Sequence, residues 1–115
     1  MKFVNLTPHE ITVFDSTGNV ILRIPPSGQI ARVSVTSTIV CKVGDIPVRK
    51  VIYGDVEGLP EPKDDTVYIV STVVLLALKE KGIIREDVVA PDTNPDSAVR
   101  DDTGRIIGVK YFQVV

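Results

Sequence analysis

The sequence predicts an α+β domain that is mostly β: antiparallel hairpins forming a curled sheet or partial barrel, with one short buried helix near residues 72–81. Three observations carry this. Short runs rich in β-branched residues recur along the chain, each bounded by Asp, Asn, Gly or Pro. The pattern Asp-x-Thr-Gly stands between two such runs at Asp15–Gly18 and again at Asp101–Gly104. Only Thr72–Lys81 joins a capping residue, a sustained apolar run and a stop.

In chain order, Thr7-Pro8-His9-Glu10 has the form of a capping box and predicts a single helical turn. Ile11–Phe14 and Val20–Ile24 then read as a hairpin. Asp15 bonds amides ahead of it there, and Gly18 supplies the positive φ. Pro25-Pro26-Ser27-Gly28 breaks any ladder by removing two donors. Gln29–Val35 alternates as a strand with Arg32 and Ser34 on one face. Thr36–Val43 and Ile46–Tyr53 form a hairpin across Gly44-Asp45, and Gly54–Asp65 reads as a solvated acidic loop carrying Leu59 inward. Thr66–Val70 is a strand that runs into the helix. Ser71 caps that helix, Lys79 and Lys81 suit its negative end, and Gly82 suits a left-handed stop. Its core, Val73–Leu78, is apolar on every side, which predicts burial. Ala98–Arg100 and Arg105–Ile107 close the last hairpin; the flanks of the two Asp-x-Thr-Gly turns share too little for an internal repeat.

The 115 residues fit a single domain, 1–115. Hydrophobic residues at 43% and charged residues at 24% give an ordinary globular balance, which argues against disorder. A net charge of −2 with no basic stripe argues against nucleic acid as a partner, because phosphate neutralisation supplies most of that affinity. Cys41 is the single cysteine, so no internal disulfide forms. The longest nearly apolar run, Val67–Leu78, has 12 residues where a spanning helix needs about 20. Met1–Pro8 holds no apolar stretch of signal-peptide length, and a cytoplasmic location is expected.

Standard chemical signatures are absent: no phosphate loop, no Cys-x-x-Cys, no His-Glu-x-x-His and no Gly-x-Ser-x-Gly. No catalytic residue, metal ligand or cofactor is assigned. His9 is the sole histidine, so a metal site there would find neither a second histidine nor a cysteine pair. It reads as a residue of the capped turn, or as one facing a ligand. Arg32 and Arg100 read either as surface ion-pair partners or as planar forks for a carboxylate or other anion. Pro91-Asp92-Thr93-Asn94-Pro95 is a stiff polar loop, explained equally by Asx-type bonding or by ligand presentation.

Read together, several segments form an ordered pattern: Asn5–His9, Ile24–Gly28 with Ala31-Arg32-Val33, Gly58–Pro62, Tyr68–Ser71, Pro91-Asp92-Thr93, and Val99–Asp101 through Gly104–Ile107. The pattern resembles a family of short proteins found in phages, prophages and various bacteria. The resemblance covers nearly the whole chain and implies a phage-related context without naming a reaction. Asn94 stands where that pattern has Gly. Asn5, Thr7, His9, Arg32, Asp92 and Arg100 belong both to the pattern and to strand ends or turns, which a curled sheet gathers at one rim. With Thr93 they form the candidate ligand-binding set.

The leading expectation is therefore non-catalytic binding of a small anionic or nucleotide-like ligand, with counter-defence sequestration as the role by analogy. The alternative is a structural or protein-interaction module, such as a virion accessory or an inhibitor of a host protein. Behind both stands a small hydrolase using His9 or Asp92. Open strand edges also allow a homodimer.

Overall fold

The computed structural model describes residues 1–115. The strands are β1 (Lys2–Asn5), β2 (Ile11–Phe14), β3 (Val20–Ile24), β4 (Arg32–Val43), β5 (Ile46–Glu57) and β6 (Thr66–Ile69). Helix α1 (Thr72–Glu80) follows, then β7 (Val88–Pro91), β8 (Ala98–Arg100), β9 (Ile106–Val109) and β10 (Phe112–Gln113). The class is α+β and mostly β, with sheets that do not close.

One four-stranded sheet has the order β1-β6-β7-β10, another β3-β2-β9-β8, and β4 and β5 form a separate two-stranded ribbon. The three expected hairpins form as antiparallel pairs, β2 with β3, β4 with β5 and β8 with β9. The helix-bearing sheet is built differently. There β1, β6 and β7 run parallel, and α1 is the crossover between β6 and β7. A parallel pair needs such a crossover, which a helix of this length supplies.

Alternation along β6 explains the layering. Tyr68 and Val70 face α1, in a cluster with Leu6, Val74, Leu78 and Val88. Ile69 points the other way, against Ile11, Val13 and Ile24 of the second sheet. The first sheet thus lies between the helix and the second sheet, and its middle strand feeds both cores. Phe3 and Phe112 sit on opposite edge strands of that sheet, yet their ring centroids are 5.7 Å apart. The sheet is therefore strongly curled.

Both Asp-x-Thr-Gly turns use one device. Asp15 Oδ1 accepts from the Thr17 hydroxyl (2.7 Å), the Thr17 amide (2.9 Å) and the Asn19 amide (2.9 Å). Asp101 Oδ1 accepts from the Thr103 hydroxyl (2.6 Å), the Thr103 amide (2.9 Å) and the Arg105 amide (3.1 Å). Bonds to the charged form hold both carboxyls below the usual carboxylate value, the threonine hydroxyl contributing most in each.

Several expectations need correction. Thr7–Glu10 forms bends and no helical turn, because Asn5 rather than Thr7 supplies the capping oxygen; Glu10 faces Arg23 at 3.5 Å. Gln29–Val35 and Thr36–Val43 are not two strands: β4 runs unbroken from Arg32, since no breaker separates them. Gly54–Glu57 extends β5 instead of opening a loop, while Leu59 does pack on the core as expected. Helix α1 buries Val74, Leu75, Ala77 and Leu78 only, leaving Val73 and Leu76 exposed, because a lone helix on a small sheet has no second layer outside it. Its ends match the sequence: Ser71 caps, and Gly82 (φ +70°) completes a Schellman stop with Ile83 N–H on Leu78 O at 2.9 Å.

Candidate functional site

The parallel arrangement brings three strand ends together. The chain leaves β1 through Leu6–His9, β6 through Val70-Ser71 into α1, and β7 through Asp92-Thr93. Between these exits lies an open groove of about 380 Å³ lined by Thr7, Pro8, His9, Ile11, Ser71, Thr72, Pro91 and Thr93. In open sheets with parallel strands, ligands sit outside the carboxyl ends of those strands. A second cleft of about 180 Å³ adjoins it, sharing Ile11, Pro91 and Thr93 and continuing along Ile106–Val109 of β9.

Asn5 shapes one wall. It is 1% exposed and uses its whole amide internally. Its Nδ2 donates to His9 O (2.8 Å) and Ile24 O (3.1 Å), while Oδ1 accepts from the Thr7 amide (3.0 Å) and the Thr7 hydroxyl (2.7 Å). The Asn5 carbonyl is engaged as well, by the Ser27 hydroxyl at 2.7 Å and the Ser27 amide at 3.0 Å. Asn5 and Thr7 thus build the loop. His9, exposed at its end, is the residue of that loop free to meet a ligand.

The opposite wall is the start of α1. Ser71 Oγ accepts from the Val74 amide at 3.4 Å, and Ser71 O accepts from the Leu75 amide at 3.1 Å. The Thr72 and Val73 amides precede the first intrahelical bonds and are left for an outside acceptor. The Thr72 hydroxyl lies at the same lip.

The third wall comes from the Pro91–Pro95 loop. Asp92 Oδ1 accepts from the Asn94 amide (2.9 Å) and the Asn94 side-chain amide (2.7 Å), so the carboxylate is folded onto its own loop. Thr93 is left exposed beside the groove. No hydrogen bond joins Asp92 to His9; the Asp92 carboxylate is engaged by Asn94 instead.

The structure therefore brings Thr7, His9 and Thr93 to one groove, with Asn5 behind the first wall and Asp92 behind the third. It does not bring Arg32 or Arg100 there. Arg32 opens β4, opposite Glu57, and Arg100 Nη1 donates to Gly104 O at 2.6 Å within its own hairpin. Neither forms an ion pair. Five groove residues lay outside the candidate set: Ser71, Thr72, Ile11, Pro8 and Pro91. The strand-to-helix junction was the signal for the first two, once the neighbouring strands are known to be parallel.

Comparison with family models, curated proteins and solved structures gives no match. The site's own chemistry is what remains. Its lining is rich in hydroxyls and prolines, with His9 as its one ionisable group and Glu10 in the adjoining cleft. No cluster of His, Cys, Asp or Glu has metal-binding geometry. No helix is long and apolar enough to cross a membrane.

Proposed function

We propose that this chain binds a small anionic or nucleotide-like ligand in the groove at the carboxyl ends of β1, β6 and β7, without transforming it. The observation that carries the reading is the convergence of three strand exits with the start of α1. Two unpaired amides and the helix dipole suit one phosphate or carboxylate group there. His9, Thr72 and Thr93 add hydrogen-bonding groups around it, and the cleft along Ile11, Ile106 and Val109 offers an apolar wall to a planar base. With Arg32 and Arg100 elsewhere, the site favours a ligand of low charge, such as a monophosphate or phosphodiester, over a triphosphate. The resemblance to short phage proteins extends this to a phage accessory protein of the bacterial cytoplasm that sequesters a nucleotide signal of host defence.

Thermal-shift and calorimetric titration against nucleoside monophosphates, cyclic dinucleotides and ADP-ribose derivatives tests the proposal. A ligand at a hundred times its dissociation constant is expected to add about 2.7 kcal/mol of stability. That gain should fall in Thr93→Glu, which sets a like charge against the anion at the groove mouth. Ligand recovered unchanged after long incubation supports binding over hydrolysis. No stabilisation by any member of the panel overturns the reading. The alternative, a protein-interaction module, draws on the exposed β4–β5 ribbon, and a host protein captured by the wild type but not by a ribbon variant would favour it.

A further inference from the structure

Strands β2 and β9 run parallel but pair at one position only, Val13 with Val109. A ladder continued in that register would set Ile11 beside Ile107 and Glu10 beside Ile106. Instead the two strands part, and the cleft of about 180 Å³ opens between them, with Pro91 and Thr93 completing its lining. Ile11, Pro91 and Thr93 line the groove as well, so one molecule can occupy both spaces. Together they have the size of a small-molecule site, about 300–1,000 Å³.

The cleft is a slot with apolar walls and one charge. Ile106 and Ile107 are 38% and 46% exposed, and a flat ring laid against them covers apolar surface that the fold leaves in water. Glu10 is the one ionisable residue of the lining. Its Oε1 lies 3.5 Å from Arg23 Nη1, and its side chain remains half-exposed. Arg23 belongs to β3, where it pairs in register with Thr12 of the slot wall. The guanidinium supplies the compensating charge, so the carboxylate does not require a cationic ligand. What Glu10 still offers is a pair of coplanar acceptors for neutral N–H groups.

Among the common bases, one edge matches that pair. Guanine presents N1–H and N2–H₂ side by side and meets both oxygens of a carboxylate at once. Adenine and cytosine set their amino group beside a ring nitrogen whose lone pair the carboxylate repels. Uracil sets a single N–H between two carbonyl oxygens. We infer that the slot between β2 and β9 takes the base of the ligand and that Glu10 makes the site selective for guanine. This rests on the reading of the groove as a nucleotide site, with the phosphate at the start of α1.

Calorimetric titration of the full chain with GMP, AMP, IMP, CMP, cyclic di-GMP and cyclic di-AMP tests the inference. Each guanine nucleotide is expected to bind at least about tenfold tighter than its adenine counterpart, the discrimination that one bidentate pair gives. GMP should also bind tighter than IMP, which lacks only the N2 amino group. Glu10→Gln is expected to reverse the order, because a carboxamide both donates and accepts and so fits the adenine edge. Glu10→Ala is expected to level the affinities. Both variants should melt with the wild type when no ligand is present, since the pair with Arg23 is exposed. An adenine nucleotide bound as tightly as its guanine counterpart overturns the inference and leaves the groove reading standing. A guanine preference that survives Glu10→Gln does the same. Binding by none of the six overturns the inference; with no shift from ADP-ribose derivatives either, the groove reading falls as well.

Discussion

Asn5 Nδ2 donates to the His9 carbonyl oxygen at 2.8 Å, so a buried side chain at the end of β1 dictates the path of the loop that carries His9. The same amide reaches Ile24 O and accepts two bonds from Thr7, tying β1, β3 and the groove wall into one network. Its consequences are measurable.

Asn5→Ala takes the side-chain partner from the Ile24 carbonyl and the Thr7 amide, while the Thr7 hydroxyl still reaches His9 O at 3.1 Å. A loss of about 2–4 kcal/mol is expected, read by urea unfolding. Asn5→Asp should cost more at neutral pH, because a carboxylate then faces the His9 and Ile24 carbonyls in place of a donor.

His9→Ala separates the roles within that network. His9 contributes its backbone to the network and its exposed ring to the groove. Its removal should change apo stability by no more than about 0.5 kcal/mol, while reducing any ligand-induced rise in melting temperature. Ser71→Ala, by contrast, removes the cap of α1 and should cost about 1 kcal/mol without ligand.

Arg85 and Asp87 predict an acid-sensitive contribution. Their bidentate pair has Nε and Nη2 each at 2.8 Å from a carboxylate oxygen, and Nη2 also donates to Pro60 O at 3.0 Å. The Arg85 bond holds the Asp87 carboxyl below its ordinary 3.8. A carboxyl depressed in the folded state stabilises fully above its unfolded value, and this part is lost as pH falls below about 4. Asp87→Asn should lower the melting temperature at pH 7 and shrink the difference from wild type at pH 3.

Gly108 lies on β9 beside its parallel neighbour β2, and a Cβ there would meet Thr12 O at 2.6 Å as well as the Phe14 ring. Gly108→Ala is expected to cost about 1–3 kcal/mol through overpacking. Phe14→Leu in the same chain should recover part of the loss, and chemical denaturation of the two variants checks this.

Much of the local structure was legible in the sequence. Ser71 and Gly82 marked both ends of α1, and Asp15 and Asp101 marked two turns by the same three-bond device. These features depend on side chains bonding to backbone within a few residues, which local sequence reports directly. What escaped depended on distant partners. Ser97 is 0% exposed and its hydroxyl accepts from the Tyr111 amide, a bond spanning 14 residues that nothing near Ser97 announces. Arg85 holding Pro60 spans 25 residues and was equally hidden.

The candidate site divides along the same line. Asn5, Thr7, His9, Asp92 and Thr93 were found because short polar side chains beside prolines stand out between apolar strands. Arg32 and Arg100 stood out as charged forks at strand ends, yet they lie away from the groove, because charge on a strand end does not say which way the strand runs. From its sequence alone the chain was determined to be a mostly β domain with one helix from residue 72 and turns at Asp15, Gly44 and Asp101. The tertiary structure decided that β1, β6 and β7 run parallel. Strand direction is set by long-range pairing and crossover handedness, and it alone places three strand exits and a helix start around one groove.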